Sequence, residues 1–252
     1  MNSVTRTLRF VAFTLVEYMR SGRILVELLA MVAFFYLFLW RWPMSPEYFF
    51  SNVGLFVLAL TFYTVSAMMG LGDRPQGYVL LVRRLSRVGY LIGLYIAALT
   101  IILISYGLIS LGVTLLNRIE GLDARGWLLG TLPLLLNAAL FGALLTLLAP
   151  MVLTSGKRLA VLALIAIAFS GSLIGGQTLA TMPETLATVL NILRTIFSTP
   201  LLPAFTGFEL SVSRNYTGIS FLTPIAQLFL TIGLLSLAVY AFARRDIIFS
   251  SG

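Results

Sequence analysis

The stretch VGYLIGLYIAALTIILISYGLISLGVTLLN, residues 88–117, contains no Asp, Glu, Lys or Arg. A helix needs about 20 apolar residues to cross a hydrocarbon core of about 30 Å, so this stretch is long enough to span a membrane. Five other stretches are similarly free of charge: 28–40, 48–72, 126–156, 159–183 and 215–243. The first of these is short and reaches spanning length by starting near Ile24, with Glu27 at its aqueous end. We therefore predict an all-α integral membrane protein with six transmembrane helices.

Composition supports a membrane protein and excludes several functions. Hydrophobic residues make up 59% of the 252 residues and charged residues only 10%, whereas a soluble domain is roughly one quarter charged. Six spans leave no room for a soluble catalytic domain, so we expect no enzymatic activity in this chain. It has no Cys and no His, which excludes disulfides and thiolate metal sites and removes the commonest metal ligand and general base. We expect no metal site.

The charged residues predict the orientation of the spans. The gaps that would lie on one side hold twelve cations against four acids, and those on the other side hold five of each. The whole net charge of +8 therefore lies on one face, which the positive-inside rule assigns to the cytoplasm. We expect a multi-pass protein of the cell (cytoplasmic or inner) membrane with both termini in the cytoplasm. Since the charge follows the membrane rather than forming a patch, we expect no nucleic-acid partner.

Residues 1–22 predict an amphipathic interfacial helix ahead of the six-helix domain, residues 23–252. On a helical wheel, one arc contains Arg6, Arg9, Glu17 and Arg20, and Val4, Leu8, Val11 and Leu15 lie opposite. A helix lying in the cytoplasmic interface and turning at Ser21-Gly22 into the first span has this pattern. The alternative is a frayed tail.

The segment 181–217 is too long for a turn and too apolar for a solvated loop. It predicts one or two short helices, re-entrant or at the outer surface, before the sixth span, because prolines interrupt an apolar helical pattern. Non-helical backbone at membrane depth must be surrounded by protein or line a water-filled cavity, so this segment is a candidate outer gate. An interfacial helix that only packs the bundle is the alternative. The candidate gate residues are Phe197, Pro200, Pro203, Phe205 and Phe208.

Ion-coupled transporters usually carry ionisable residues inside their spans, and the middle of each predicted span has none. The polar candidates for a transport path are the neutral Asn137, Gln177 and Gln227, which are also typical interhelical hydrogen-bond partners. Small residues at helix-packing spacing, Gly89 with Gly93 and Gly171 with Gly175, allow close helix contacts within one subunit or between two. If the chain takes part in transport, the energy must therefore come from an external source or from a downhill gradient of the substrate.

The loop 73–89 suggests an external energy source. It combines four arginines and one acid with the apolar run Tyr78 to Val82. Positive-inside anchoring explains the charge but not the apolar run. A short helix on the cytoplasmic surface with this run facing outwards would need a partner.

This loop and the architecture resemble the permease subunits of ABC-2 type exporters. That family has six spans, an interfacial helix before the first, a short coupling helix between the second and third, and short gate helices before the sixth. Its loop pattern is matched by Asp73, Gly77, Leu80, Leu81, Ser86, Arg87 and Gly93, while Leu85 and Leu94 stand where the family has Pro and Lys. The ending Ala243 to Ile247 also resembles the family's C-terminus.

The resemblance implies a permease subunit that pairs with a second permease subunit, identical or related, and with two cytoplasmic ABC ATPase subunits. ATP and Mg²⁺ would bind to those partners, and this chain would need no cofactor. The residues implied in ATPase coupling are Asp73, Gly77, Tyr78, Leu80, Leu81, Arg83, Arg84, Ser86 and Arg87. Uncharged spans favour an amphipathic, lipid-like or glycan-lipid cargo. The alternative is a passive channel or a structural subunit of a membrane complex.

Overall fold

A computed structural model describes residues 3–40, 44–73, 85–116, 119–173 and 201–244, together with residues 188, 189, 192, 195 and 198. Within these residues the chain is helical, and the one β-bridge joins Met44 to Ile119. We label the α-helices in chain order: α1 Ser3–Arg20, α2 Arg23–Phe34, α3 Pro46–Gly72, α4 Arg87–Leu116, α5 Ala124–Leu147, α6 Ser155–Leu173, α7 Leu202–Ser213 and α8 Thr223–Ala243. A π-helical turn, Phe35–Leu39, extends α2, and a 3₁₀ helix, Gly218–Leu222, precedes α8.

Four helical units are long and apolar enough to cross a membrane: α3, α4, α5 and Ser220–Ala243. A fifth is obtained if Val4–Arg20 and Arg23–Leu39, which are bent by 72° to each other, form one broken span. The predicted first span corresponds to α2 and its π-helical turn. The predicted fifth span begins in α6 and continues past Leu173 outside the described residues. The prediction of an all-helical protein with apolar, span-length helices is confirmed, and six spans remain a prediction.

Polar residues at the edges of the apolar stretches fix where the helices begin. The Ser45 hydroxyl accepts a hydrogen bond from the backbone N–H of Tyr48 (3.3 Å), and the Asp123 carboxylate accepts one from Gly126 (2.7 Å). Such caps satisfy backbone donors that have no partner within the helix. The fourth predicted stretch ends earlier than residue 156, at Leu147, because Pro150 lacks a backbone donor and disfavours helix at the residue before it.

Contacts at the helix ends place the beginning of α2 beside the end of α3, the beginning of α4 beside the end of α8, and the end of α4 beside the beginning of α3. At one end, the Arg23 guanidinium donates to the Ala67 carbonyl (2.6 Å) and Arg87 donates to the Ala243 carbonyl (2.9 Å). At the other end, the Glu120 backbone N–H donates to the Met44 carbonyl (3.2 Å). Charge counting assigned these groups to the same two sides. Which side faces the cytoplasm remains a prediction.

Helix α1 packs on α4 through small residues. A Cβ atom on Gly93 would lie 2.6 Å from Cδ1 of Phe10, and one on Gly89 would lie 2.8 Å from the Thr7 hydroxyl oxygen. Real Cβ atoms do not approach so closely, so this contact requires glycine at both positions. The Gly89 and Gly93 pair therefore serves packing within one chain, one of the two uses that the sequence left open. Gly175 lies outside the described residues.

The packed face of α1 lies between the two arcs that the sequence predicts. Phe10, Val11, Thr14 and Tyr18 are buried, while the apolar Val4 and Leu8 are exposed. The charged residues Arg6, Arg9 and Arg20 are exposed on the other flank. The helix thus has three faces, one packed, one apolar and one charged, where the sequence distinguished only two.

Candidate translocation site

The short helix α7 lies directly before the last span, inside the segment predicted to form the gate. Pro203 stands in its first turn, where the missing backbone donor costs no helical hydrogen bond. The helix ends at Arg214, which adopts the left-handed conformation with φ 54°. It packs against α3, α5 and α8. A short helix before the last span is therefore present, and its role as a gate remains a prediction.

Two of the three predicted polar residues hold α7 and α8 to α5. The Asn137 side-chain amide donates to the Ala204 carbonyl in α7 (3.0 Å), and the Gln227 amide donates to the Pro133 carbonyl in α5 (3.3 Å). Both side chains are buried. They act as interhelical hydrogen-bond partners, one of the two roles expected for them. The third, Gln177, lies outside the described residues.

Pro133 creates a backbone acceptor that another residue satisfies. Proline has no N–H, so the carbonyl four residues earlier, that of Leu129, loses its helical hydrogen bond. The Tyr216 hydroxyl donates to this Leu129 carbonyl at 2.8 Å. In a membrane an unsatisfied carbonyl is costly, and this contact removes that cost from α5.

An apolar cavity of about 480 Å³, as bounded by the described residues, lies between α3, α5, α6, α7 and α8. Its walls include Leu58 of α3, Leu140 of α5 and Leu234 of α8, all in the interior of their helices. Asn137 is the polar side chain among the described residues that line it. Because the lining is hydrocarbon with a single amide, the cavity suits an apolar group and not a hydrated ion.

Two predicted gate residues, Phe205 and Phe208, line this cavity from α7. Phe205 is 51% exposed, whereas Phe208 is half-buried and packs on Gly54 of α3, where a Cβ atom would lie 2.6 Å from its ring. Phe208 therefore fixes α7 against α3, and Phe205 is the more exposed of the two rings. Phe197 and Pro200 lie outside the described residues.

The predicted coupling residues are described only at the two ends of their loop. Asp73 follows α3, and the Ser86 hydroxyl accepts a hydrogen bond from the Gly89 backbone N–H (3.1 Å) just inside α4. Arg87 contacts the end of α8 through the Ala243 carbonyl. The other six lie outside the described residues: Gly77, Tyr78, Leu80, Leu81, Arg83 and Arg84.

Two features were missed by reasoning from the sequence. Glu27, expected at the aqueous end of the first span, is only 1% exposed. Glu47 and Arg214, which were counted only as charges of one side, form an ion pair that joins α3 to the end of α7. Neither the burial of Glu27 nor the Glu47–Arg214 pair follows from a local sequence pattern, because the groups that surround or pair with them come from other helices. A carboxylate one turn inside an apolar stretch was the available signal for Glu27.

Among the described residues, no group of three or more Asp, Glu, Cys or His side chains is placed to hold a metal ion. No family model matches the chain, and neither a curated protein nor a solved structure is similar to it. The class of the protein follows from the described helices alone: it is an all-helical chain whose four or five long apolar helices are compatible with a multi-pass membrane protein.

Proposed function

We propose that this chain is the transmembrane permease subunit of an ATP-driven exporter of the ABC-2 type, moving an amphipathic, lipid-like or glycan-lipid substrate. The observation that carries the proposal is the short helix α7, held over an apolar cavity by Asn137 just before the last span. At the opposite end, the interfacial helix α1 precedes the first span at a 72° bend. These two features match the architecture that the sequence resembles.

The nature of the cavity supports the choice of substrate. Its described walls carry hydrocarbon and one amide, and transfer of a charged group into such surroundings is costly unless it is paired. Among the Asp, Glu, Lys and Arg side chains of the described spans, the fully buried one is Glu27, which lies one turn inside α2 and does not line the cavity. An alkyl chain fits this environment better than a free ion.

The energy source would be a separate cytoplasmic ATPase. Residues 74–84, which carry Arg74, Arg83 and Arg84 and the apolar run from Tyr78, connect two helix ends at the face of the bundle that also holds Ala243. A loop in this position offers an ATPase a docking element next to the ends of three spans. The proposed assembly contains two ATPase subunits and a second permease subunit.

Co-purification tests the proposal. The tagged chain, isolated from its native membrane in mild detergent, should co-purify with an ATPase. The Leu80→Asp, Leu81→Asp double variant should retain less of this ATPase and of its activity, because charge buried at a contact is costly. Leu122→Asp, in a loop at the other end of the bundle, is the control; Leu122 is half-buried, so this variant must first reach the expression level of the parent, and it should then keep the ATPase. Isolation without any ATPase would instead favour a passive channel or a structural subunit.

A further inference from the structure

A buried polar cluster joins the interfacial helix to the first two spans. The Tyr18 hydroxyl of α1 donates to Oε1 of Glu27 in α2 at 2.6 Å, and the Thr64 hydroxyl of α3 donates to the same oxygen at 2.5 Å. Tyr18 and Thr64 have no exposed surface, and Glu27 is 1% exposed. One carboxyl oxygen thus connects three helices, of which α2 and α3 are also joined by the hydrogen bond from Arg23 to the Ala67 carbonyl.

The rest of the α1–α2 junction does not fix its angle. Gly22, at φ 74°, has no atom within 4 Å of the position of a Cβ, and the Arg23 bond to the Ala67 carbonyl joins α2 to α3 and does not include α1. The Ser21 hydroxyl donates to the Tyr18 carbonyl within the turn itself. Apolar contacts are non-directional, whereas a buried hydrogen-bonded group accepts few geometries. The orientation of α1 about the bend therefore depends on the cluster.

Burial of Glu27 also depends on α1. Oε1 receives both donors, and Oε2 is buried with no hydrogen-bond partner among the described residues. If α1 moved away, the carboxyl group would lose the Tyr18 donor and the cover that keeps it from water. A carboxyl group with one unsatisfied oxygen is costly to keep buried, so each of the two hydroxyl bonds favours the docked state.

We propose that Glu27 is a positioning residue: together with Tyr18 and Thr64 it forms a latch that holds α1 docked on α4 and sets the bend between α1 and α2. The latch makes α1, α2 and the end of α3 move as one body. When it is broken, α1 leaves the Gly89 and Gly93 surface and stays attached to the bundle only through Ser21 and Gly22. The inference does not depend on what the protein transports.

Because the chain contains no cysteine, single introduced cysteines can report whether α1 is docked. Thr14 is 3% exposed on the packed face of α1, so Thr14→Cys is a near-isosteric probe of docking. The full chain is reconstituted in nanodiscs and treated with a water-soluble maleimide. Arg20→Cys, on the exposed charged face, reports equal access of the reagent in every background. Thr146→Cys, buried in α5, reports general unfolding.

We expect Glu27→Leu, which removes both hydroxyl bonds, to raise the labelling rate of the cysteine at position 14 by about tenfold or more, as hydrogen bonds of ordinary net strength would give. Glu27→Gln should rescue protection, because its amide oxygen still accepts from both hydroxyls. Thr64→Val removes one donor with little change in volume and should give an intermediate rate. The cysteine at position 146 should stay protected throughout.

Three results would overturn the proposal: continued protection of position 14 in both Glu27→Leu and Thr64→Val, equal exposure of positions 14 and 146, or failure of Glu27→Gln to rescue protection. If Glu27→Leu does not insert into the membrane, the decision rests on Thr64→Val, which keeps the carboxyl group. Protection of position 14 in that variant alone then contradicts the latch.

Discussion

The Tyr216 hydroxyl satisfies the carbonyl of Leu129, the acceptor that Pro133 leaves without its helical partner. A residue between α7 and α8 thus compensates for a proline in the middle of α5. Gln227 of α8 donates to the carbonyl of that same proline. The irregularity in α5 is therefore where the two following elements attach to it.

Replacement of Tyr216 by Phe should destabilise the protein by about 1 kcal/mol, because the Leu129 carbonyl is left without a donor. For a chain of this size this lowers the unfolding midpoint by about 2–4 °C. Thermal unfolding in detergent measures the change. Tyr36→Phe is the control, since Tyr36 is 67% exposed and should show no shift. Equal shifts for both variants would mean that the Tyr216 bond contributes nothing specific.

Gly207→Ala should displace the Gln227 amide, because a Cβ atom at position 207 would overlap its nitrogen. Overpacking of this kind costs about 1–3 kcal/mol, seen as a lower unfolding midpoint. Gly233→Ala, in α8, has no atom within 4 Å of the new Cβ and should be neutral or slightly stabilising, since alanine favours helix over glycine. A Gly207→Ala protein as stable as the parent would show that α7 and α8 separate easily.

Topology is testable with single cysteines at positions 83 and 122. The charge distribution places position 83 in the cytoplasm and position 122 outside. An impermeant thiol reagent added to intact cells should label only position 122, and position 83 should react after the membrane is opened. Labelling of position 83 from outside, or protection of position 122, contradicts the six-span arrangement.

The two phenylalanines of α7 should respond differently to truncation if the cavity is part of an export path. Phe205→Ala should preserve stability, because this ring is half-exposed, and should raise ATP-independent movement of a fluorescent lipid across reconstituted vesicles. Phe208→Ala should lower stability by up to about 3 kcal/mol, since it removes the ring that packs on Gly54. Unchanged lipid movement in Phe205→Ala, with the protein stable, would make α7 a packing element.

The positions of the helices could be predicted from the sequence, but their neighbours could not. Charges and prolines mark where apolar stretches end, so α3, α4 and α8 begin or end close to the predicted limits. Hydrophobicity does not tell the core from lipid, because both are apolar. In α4, Ala97 and Ala98 are fully buried while Leu111 is 55% exposed, and no periodic pattern in the sequence separates them.

In the candidate site, too, individual residues could be predicted from the sequence, but their contacts could not. Asn137 and Gln227 stood out because polar residues are rare in spans, and both indeed connect helices. Tyr216 and Thr64 did not stand out, because tyrosine near a membrane surface and threonine within a helix are common. Their importance comes from the carbonyl of Leu129 and the carboxyl group of Glu27, and these pairings exist only after the helices have packed.

The glycine surface on α4 also sets the order in which the molecule is completed. Helix α1 leaves the ribosome before α4, and Gly93, against which Phe10 packs, follows about 80 residues later. At synthesis rates of about 5–20 residues per second, α1 waits roughly 4–16 s for its binding surface. Helix α1 therefore reaches its final position only after α2, α3 and the beginning of α4 have been made.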